Sequence, residues 1–220
     1  MEMSEIIHTF DRHSDKGLPF EVTESKNSRT AEEIANVQKV HPILRPKDGM
    51  PTPSHLAKCT TRIKSKCRST LFVGKVKCTC GHEEMRLKFT ATDGDGIGGP
   101  RSVLLDGLYY AIVEAICHAC ELKYLLFDES RHGWNGFLAG DNRIAPFDGK
   151  LTEWQCIECQ ARPHTAIVRV RGENPETAIE ESESLLNGSN WFEGFGWISI
   201  DIKCRQCRKQ TIDWLSWETA

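Results

Sequence analysis

The chain has 220 residues, a formal net charge of −3 at pH 7 and ten cysteines. A chain of this length can bury a core as one large domain or as two small ones. Residues 1–22 contain no basic-then-apolar signal region, and no apolar stretch is long enough to span a membrane. We therefore expect a soluble, cytoplasmic protein without a membrane partner. In that reducing compartment, closely spaced cysteines hold metal more often than they form disulfides.

The first 69 residues form a polar segment with a basic end, and one short helix is predicted within it. Thr30 and Glu33 make a capping box in front of the sequence AEEIANVQKV. Pro42 follows this sequence, and proline is common just beyond the end of a helix. The segment is thus predicted to precede the folded part of the chain.

Charge is distributed unevenly along the chain. Residues 49–82 contain no acidic side chain, and the stretch 58–77 carries seven Lys and Arg, whereas residues 172–202 contain no basic side chain. The basic side chains can contact nucleic-acid phosphates, or they can pair with the acidic region of this chain or of a partner chain. Both alternatives stay open at this point. The candidate partner-binding residues of this stretch are Arg62, Lys64, Lys66 and Arg68.

Residues 70–140 and residues 150–220 each contain the order strand, cysteine pair, strand twice. Apolar and polar residues alternate beside the pairs, as in MRLKF (85–89) and WISIDIKC (197–204). This period-two alternation is typical of half-buried strands. We therefore predict a mostly β protein with small α content, built from two tandem antiparallel β modules behind the polar segment 1–69.

One helix is predicted in the second module, between its two cysteine pairs. Asn174 is a good N-cap, and Pro175 suits the first helical position. Asn187 and Gly188 provide a left-handed stop, so the helix is predicted over residues 175–187.

Eight of the ten cysteines fall in four close pairs. A C-x-x-C pair at a tight hairpin turn points both sulfurs the same way, so two such turns can complete a tetrahedron around Zn²⁺. The repeated arrangement predicts two zinc ions. The predicted ligands are Cys78, Cys80, Cys117 and Cys120 for the first ion, and Cys156, Cys159, Cys204 and Cys207 for the second.

The first pair, Cys78-x-Cys80, is one residue shorter than the others, so His82 or His118 is an alternative ligand. We expect both histidines to face solvent, because a four-thiolate site is already available. Cys59 and Cys67 belong to no close pair.

Each module resembles a zinc ribbon, a superfamily in which two cysteine knuckles on β-hairpins clamp one structural zinc. The resemblance covers roughly residues 70–220 and implies zinc as the cofactor, but ribbons bind DNA, RNA and proteins alike. The spacing is also similar to that of methionine sulfoxide reductase B and related β-tent proteins, which carry two C-x-x-C pairs a few tens of residues apart. Their catalytic cysteine segment has no counterpart here, since Cys59 and Cys67 lack a supporting motif.

Aromatic residues concentrate in two glycine-containing loops, residues 131–137 and 190–197. Such aromatics can plug the open end of a small sheet, or they can stack on bases or fill a pocket of a partner. We favour plugs, and the candidates for partner contact are Trp134 and Phe192.

A closed four-cysteine site has no open position for a substrate or water, so this zinc is predicted to stabilise the fold without performing chemistry. No HExxH helix, glycine-rich phosphate loop or nucleophile elbow occurs in the chain. We therefore expect a non-catalytic protein-binding or scaffold module, with a protein partner or self-association. The alternatives are a nucleic-acid-binding zinc ribbon that uses the stretch 58–77, and a redox enzyme of methionine-sulfoxide-reductase-B-like fold.

Overall fold

A computed structural model describes residues 49–63, 70–91, 99–105, 108–139, 147–182 and 185–219. These ranges form a mostly antiparallel β structure with few helices, as predicted. Several features named from the sequence lie outside the described residues: the helix after Thr30, Lys64, Lys66, Arg68 and Cys67.

Eleven strands are formed by the described residues. They are β1 Thr60–Arg62, β2 Leu71–Val76, β3 Met85–Phe89, β4 Val103–Leu105, β5 Leu108–Tyr110, β6 Ile112–Cys117, β7 Lys123–Asp128, β8 Thr152–Glu153, β9 His164–Arg171, β10 Trp197–Cys204 and β11 Gln210–Glu218. The helices are α1 Gly133–Ala139 and α2 Pro175–Glu181, with 3₁₀ turns at Ser54–Leu56 and Trp191–Glu193. Within the described ranges, no helix has both the length and the apolar character needed to cross a membrane.

Nine of these strands form one sheet, which is shaped as a half-barrel. Its main order is β1-β2-β9-β3-β6-β7, with β10 beside β9, β11 beside β10 and β8 beside β3. Strands β4 and β5 form a separate hairpin. Because β9 pairs with β10 on one edge and with β2 and β3 on the other, strands of residues 70–140 and 150–220 share the sheet. The division of the chain into two modules stays a prediction from the sequence.

The core lies on the inner face of this sheet, and the predicted alternation places it there. Along β9, Ala166, Val168 and Val170 are fully buried, while the residues between them are half-exposed. Full burial of a valine side chain stabilises the fold by about 1.5–3 kcal/mol. The same alternation in β3 and β10 buries Met85, Leu87, Phe89, Ile198, Ile200 and Ile202.

The opposite face of β10 differs from the simple alternating pattern, because Ser199 and Asp201 are buried as well. Both oxygens of the Asp201 carboxylate accept hydrogen bonds from the Arg169 guanidinium, and Oδ1 also accepts the Asp213 N–H at 3.0 Å. This charge-assisted pairing offsets the cost of burying the carboxylate.

Helix α2 is shorter than predicted, although it begins as expected. The Asn174 side chain accepts the Glu176 N–H at 3.1 Å, and Pro175 is the first helical residue. The helix ends at Glu181, six residues before the predicted stop, and directly after it the Ser182 hydroxyl accepts the Leu186 N–H at 3.0 Å. A second difference is α1, which forms where a loop was expected at residues 131–137.

Candidate metal centres

Cys78, Cys80, Cys117 and Cys120 form the first centre, and their sulfurs all lie within 4.8 Å of one another. The Sγ atoms of Cys78 and Cys120 are 3.4 Å apart, and those of Cys80 and Cys117 are 3.6 Å apart. A tetrahedron with Zn–S bonds of about 2.3 Å has an edge of about 3.8 Å. A disulfide would need about 2.05 Å. The sulfurs are therefore spaced for a metal ion.

The second centre has the same geometry and consists of Cys156, Cys159, Cys204 and Cys207. The Sγ distance is 3.4 Å between Cys156 and Cys207, and 3.5 Å between Cys159 and Cys204. In both centres these short contacts join sulfurs of different knuckles. Among the described residues, His, Cys, Asp and Glu form metal-binding groups at these two places alone.

In each cysteine pair, one cysteine is buried and the other is more exposed. The first cysteine of a pair continues the inward alternation of the strand before it: Cys204 follows Ile202 on β10, and Cys117 follows Ala115 on β6. The first cysteine is buried in all four pairs, and the second lies in the turn with greater exposure. Strand register therefore aims the first sulfur, and the turn brings the second sulfur beside it.

The three C-x-x-C pairs adopt the same type of turn. The N–H of the first cysteine donates to the carbonyl five residues later, at 2.9 Å in each case: Cys117 to Leu122, Cys156 to Ala161, and Cys204 to Lys209. The residue before that acceptor has a positive φ: 61° at Glu121, 58° at Gln160 and 66° at Arg208.

The C-x-C pair forms the same turn with one residue fewer. Here the Cys78 N–H donates to the His82 carbonyl at 2.8 Å, only four residues later. The positive φ of 93° falls on Gly81, a conformation that a residue with a Cβ rarely adopts. The shorter spacing therefore still directs both sulfurs to one centre.

The remaining candidates for metal binding or thiol chemistry lie outside these centres. His82 and His118 are both exposed, and neither belongs to the group of four sulfurs. His82 lies beside the first centre, with Nδ1 3.5 Å from Cys80 Sγ. Cys59 is fully buried, and this burial raises the pKa of its thiol to about 12. A thiol in that environment is a weak nucleophile and a weak ligand.

Tyr124 is a neighbour of the first centre that the cysteine pattern did not indicate. Its hydroxyl donates to Cys78 Sγ at 3.2 Å and accepts the Thr79 N–H at 3.0 Å. Burial raises the pKa of Cys78, but hydrogen bonds from Tyr124 and from the Cys80 N–H outweigh it and lower the pKa to about 6. A donor to a thiolate stabilises its charge. The one signal in the sequence was a tyrosine seven residues after Cys117.

Removing this hydroxyl is expected to weaken the first centre. Loss of a hydrogen-bond partner of a metal ligand typically lowers metal affinity 10- to 100-fold, so Tyr124→Phe should lower the zinc affinity of the first centre by about tenfold. Competition with a chelator measures this loss. Tyr110→Phe is the control, since the Tyr110 ring packs against Phe147, with the ring centroids 5.3 Å apart. Equal affinity in the two variants would exclude a role for Tyr124.

The candidate partner-binding residues that the structure describes make contacts within their own chain. The Arg62 guanidinium donates to the Met50 carbonyl at 2.5 Å and lies 5.1 Å from the Phe72 ring centroid. The backbone N–H of Trp134 donates to the Phe195 carbonyl at 2.9 Å. Phe192 packs against the core, with its ring 6.1 Å from that of Trp191.

Comparisons of the chain with protein families, with curated proteins and with solved structures find no match. The class of the protein is therefore defined by its fold and by the two groups of sulfurs. It is a mostly antiparallel β protein with two four-cysteine centres that are compatible with structural metal sites.

Proposed function

We propose that the chain is a zinc-binding protein with two structural, zinc-ribbon-type centres that stabilise its sheet. The observation that carries this proposal is the pair of four-sulfur groups, each with its atoms within 4.8 Å of one another. Tetrahedral thiolate sites suit zinc or iron. Zinc fits better because several of these sulfurs are exposed, and zinc has no redox chemistry that exposure could disturb.

The protein acts by binding and not by catalysis. Four thiolates fill the coordination sphere of zinc, so neither centre offers a position to substrate or to an activated water. Cys59, the described cysteine outside the centres, is buried with a raised pKa, which does not favour a redox role. This supports a non-catalytic scaffold over a reductase.

A protein partner or a second copy of the chain is the proposed binding target. Two described cations of the basic stretch already contact their own chain: Arg62 at the Met50 carbonyl and Lys75 at Glu83, 2.5 Å away in each case. Phosphate binding would have to compete with these contacts. We therefore expect no binding to random-sequence DNA or RNA even at low salt, and salt-dependent binding would favour the nucleic-acid alternative.

Cobalt substitution tests whether the centres are closed. Co²⁺ in place of zinc should give the visible absorption of a four-thiolate site, and added azide should leave that spectrum unchanged. Cys207→Ser, which removes an exposed ligand of the second centre, is the positive control because it opens one position. A spectral shift in the wild-type protein would contradict a purely structural role.

A further inference from the structure

Both metal centres lie at the same end of the sheet, joined by one row of paired residues. Cys117 of the first centre is opposite Met85 on β3, and Met85 is opposite His164 on β9. His164 is in turn opposite Cys204 of the second centre. With strands about 4.8 Å apart, the backbones of the two centres are separated by roughly 14 Å.

Glu84, which precedes Met85, contacts a knuckle of each centre. Its carbonyl accepts the N–H of His118, which lies between Cys117 and Cys120. Its Oε1 is 2.8 Å from Nε of Arg205, which lies between Cys204 and Cys207. One residue thus holds the main chain of one knuckle and a side chain of the other.

The Arg205 knuckle is fixed in the same region by a second bond, since the Arg205 N–H donates to the Pro163 carbonyl at 3.1 Å. Arg86 pairs closely with Glu121 beside the first centre, but its distance to Glu153 is 3.7 Å, and Glu153 is 3.8 Å from Arg162. The two pairs that involve Glu153 are near the outer limit of an ion pair. Glu84 and Arg205 therefore form the tighter link.

Two opposing effects act between the centres. Each loaded centre carries a net charge near −2, so loading one disfavours loading the other. Salt screens this repulsion beyond about 8 Å under physiological conditions, which is less than the separation of the centres. A metal in the second centre also fixes the turn that contains Arg205. Through Glu84, this turn restricts the turn that contains His118 before the first centre is loaded.

We propose that the two centres bind metal cooperatively, with Glu84 as the positioning residue that links them. This inference rests on the proposed zinc-binding function. The link is partly exposed, with 39% of the Arg205 side chain and 36% of the Glu84 side chain accessible, so the coupling belongs at the low end of the usual range, about fivefold.

The population of chains with one zinc measures the coupling. Native mass spectrometry is recorded at half saturation. This point is reached once by adding zinc to metal-depleted protein and once by removing zinc from loaded protein. Two independent, equal sites would leave about half of the chains with one zinc, and unequal independent sites would leave more. For equal sites, fivefold cooperativity lowers this fraction to about one third. Unequal sites raise the starting value, so the fraction is compared between the wild type and its variants.

Variants assign the coupling to the Glu84–Arg205 link. Glu84→Gln and Arg205→Gln should each raise the one-zinc fraction, to about half for equal sites, and the double variant should add no further change because the two residues act as a unit. Glu158→Gln is the matched control, since Glu158 pairs with Lys209 at 3.2 Å within the second centre.

Two results would overturn the proposal: a one-zinc fraction that does not rise in Glu84→Gln, or an equal rise in Glu158→Gln. Wild-type protein that takes up two zinc ions, with no rise of the one-zinc fraction in Glu84→Gln, would reject the coupling alone. Protein that takes up none would reject the proposed function as well.

Discussion

Cys204→Ser is expected to remove one metal ion and to unfold the strands around the second centre. Structural zinc sites bind with about 10–16 kcal/mol, which equals or exceeds the whole stability of a typical domain. Cys204 ends β10, and β10 pairs along the full length of β9. Hydrogen exchange of the amides of β9, β10 and β11 should therefore lose protection.

The effect should extend into the first half of the chain, because β2 and β3 pair with β9. The first centre is expected to keep its metal with reduced affinity. Cys59→Ala is the matched control: Cys59 is buried but belongs to neither centre, so its loss should cost about 1 kcal/mol and leave two metals bound. Equal melting temperatures for the two variants would contradict a structural role for the second centre.

Acidification below pH 6.5 is expected to destabilise the protein through a pair of stacked histidines. The rings of His55 and His132 are 3.7 Å apart with an interplanar angle of 12°, and His132 Nδ1 accepts the Asp128 N–H at 3.0 Å. Burial, followed by the charge of His132, lowers the pKa of His55 to about 3. Burial, followed by the charge of Arg131, lowers the pKa of His132 to about 4.

Between pH 6.5 and these values, the unfolded chain binds protons that the folded protein excludes. The free energy of unfolding should therefore fall by about 1.4 kcal/mol per pH unit for each histidine, with the stability fully present only above pH 6.5. Denaturant unfolding at several pH values measures this slope.

His55→Phe should keep the ring contact and remove the proton linkage of one of the two histidines. The difference in free energy of unfolding between wild type and variant should therefore change by about 1.4 kcal/mol per pH unit below pH 6.5. Acid also protonates the metal ligands, and Glu129, whose pKa burial raises, contributes with the opposite sign. Comparing variants at equal metal content cancels both effects. His118→Gln, at an exposed position, is the control, and the same pH profile for both variants would contradict the role of the stacked pair.

Features that depend on local pattern were predictable from the sequence. The inward alternation of Ile198, Ile200 and Ile202 follows from the period of a strand, and Cys204 falls on the same face. The Asn174 cap is equally local, since donor and acceptor are two residues apart. The grouping of cysteines by fours followed from pairs that recur at matched spacing.

Features that depend on strand order could not be predicted in this way. The alternation of β9 does not reveal that β2, β3 and β10 are its neighbours, so the contact of Glu84 with Arg205 stayed hidden. The bond from Tyr124 to Cys78 likewise joins residues 46 apart. Asp201 looked solvent-facing because its partner, Arg169, belongs to another strand. Such pairs are fixed by register between distant segments, which the period of a single strand does not encode.

The metal content of protein purified without added metal is the decisive measurement for the two proposed zinc centres. Elemental analysis should find two zinc ions per chain, and X-ray absorption at the zinc edge should show four sulfur neighbours at about 2.3 Å. Protein without bound metal whose cysteines all react with a thiol reagent in the native state would contradict the two zinc centres, as would zinc with oxygen or nitrogen neighbours in place of sulfur.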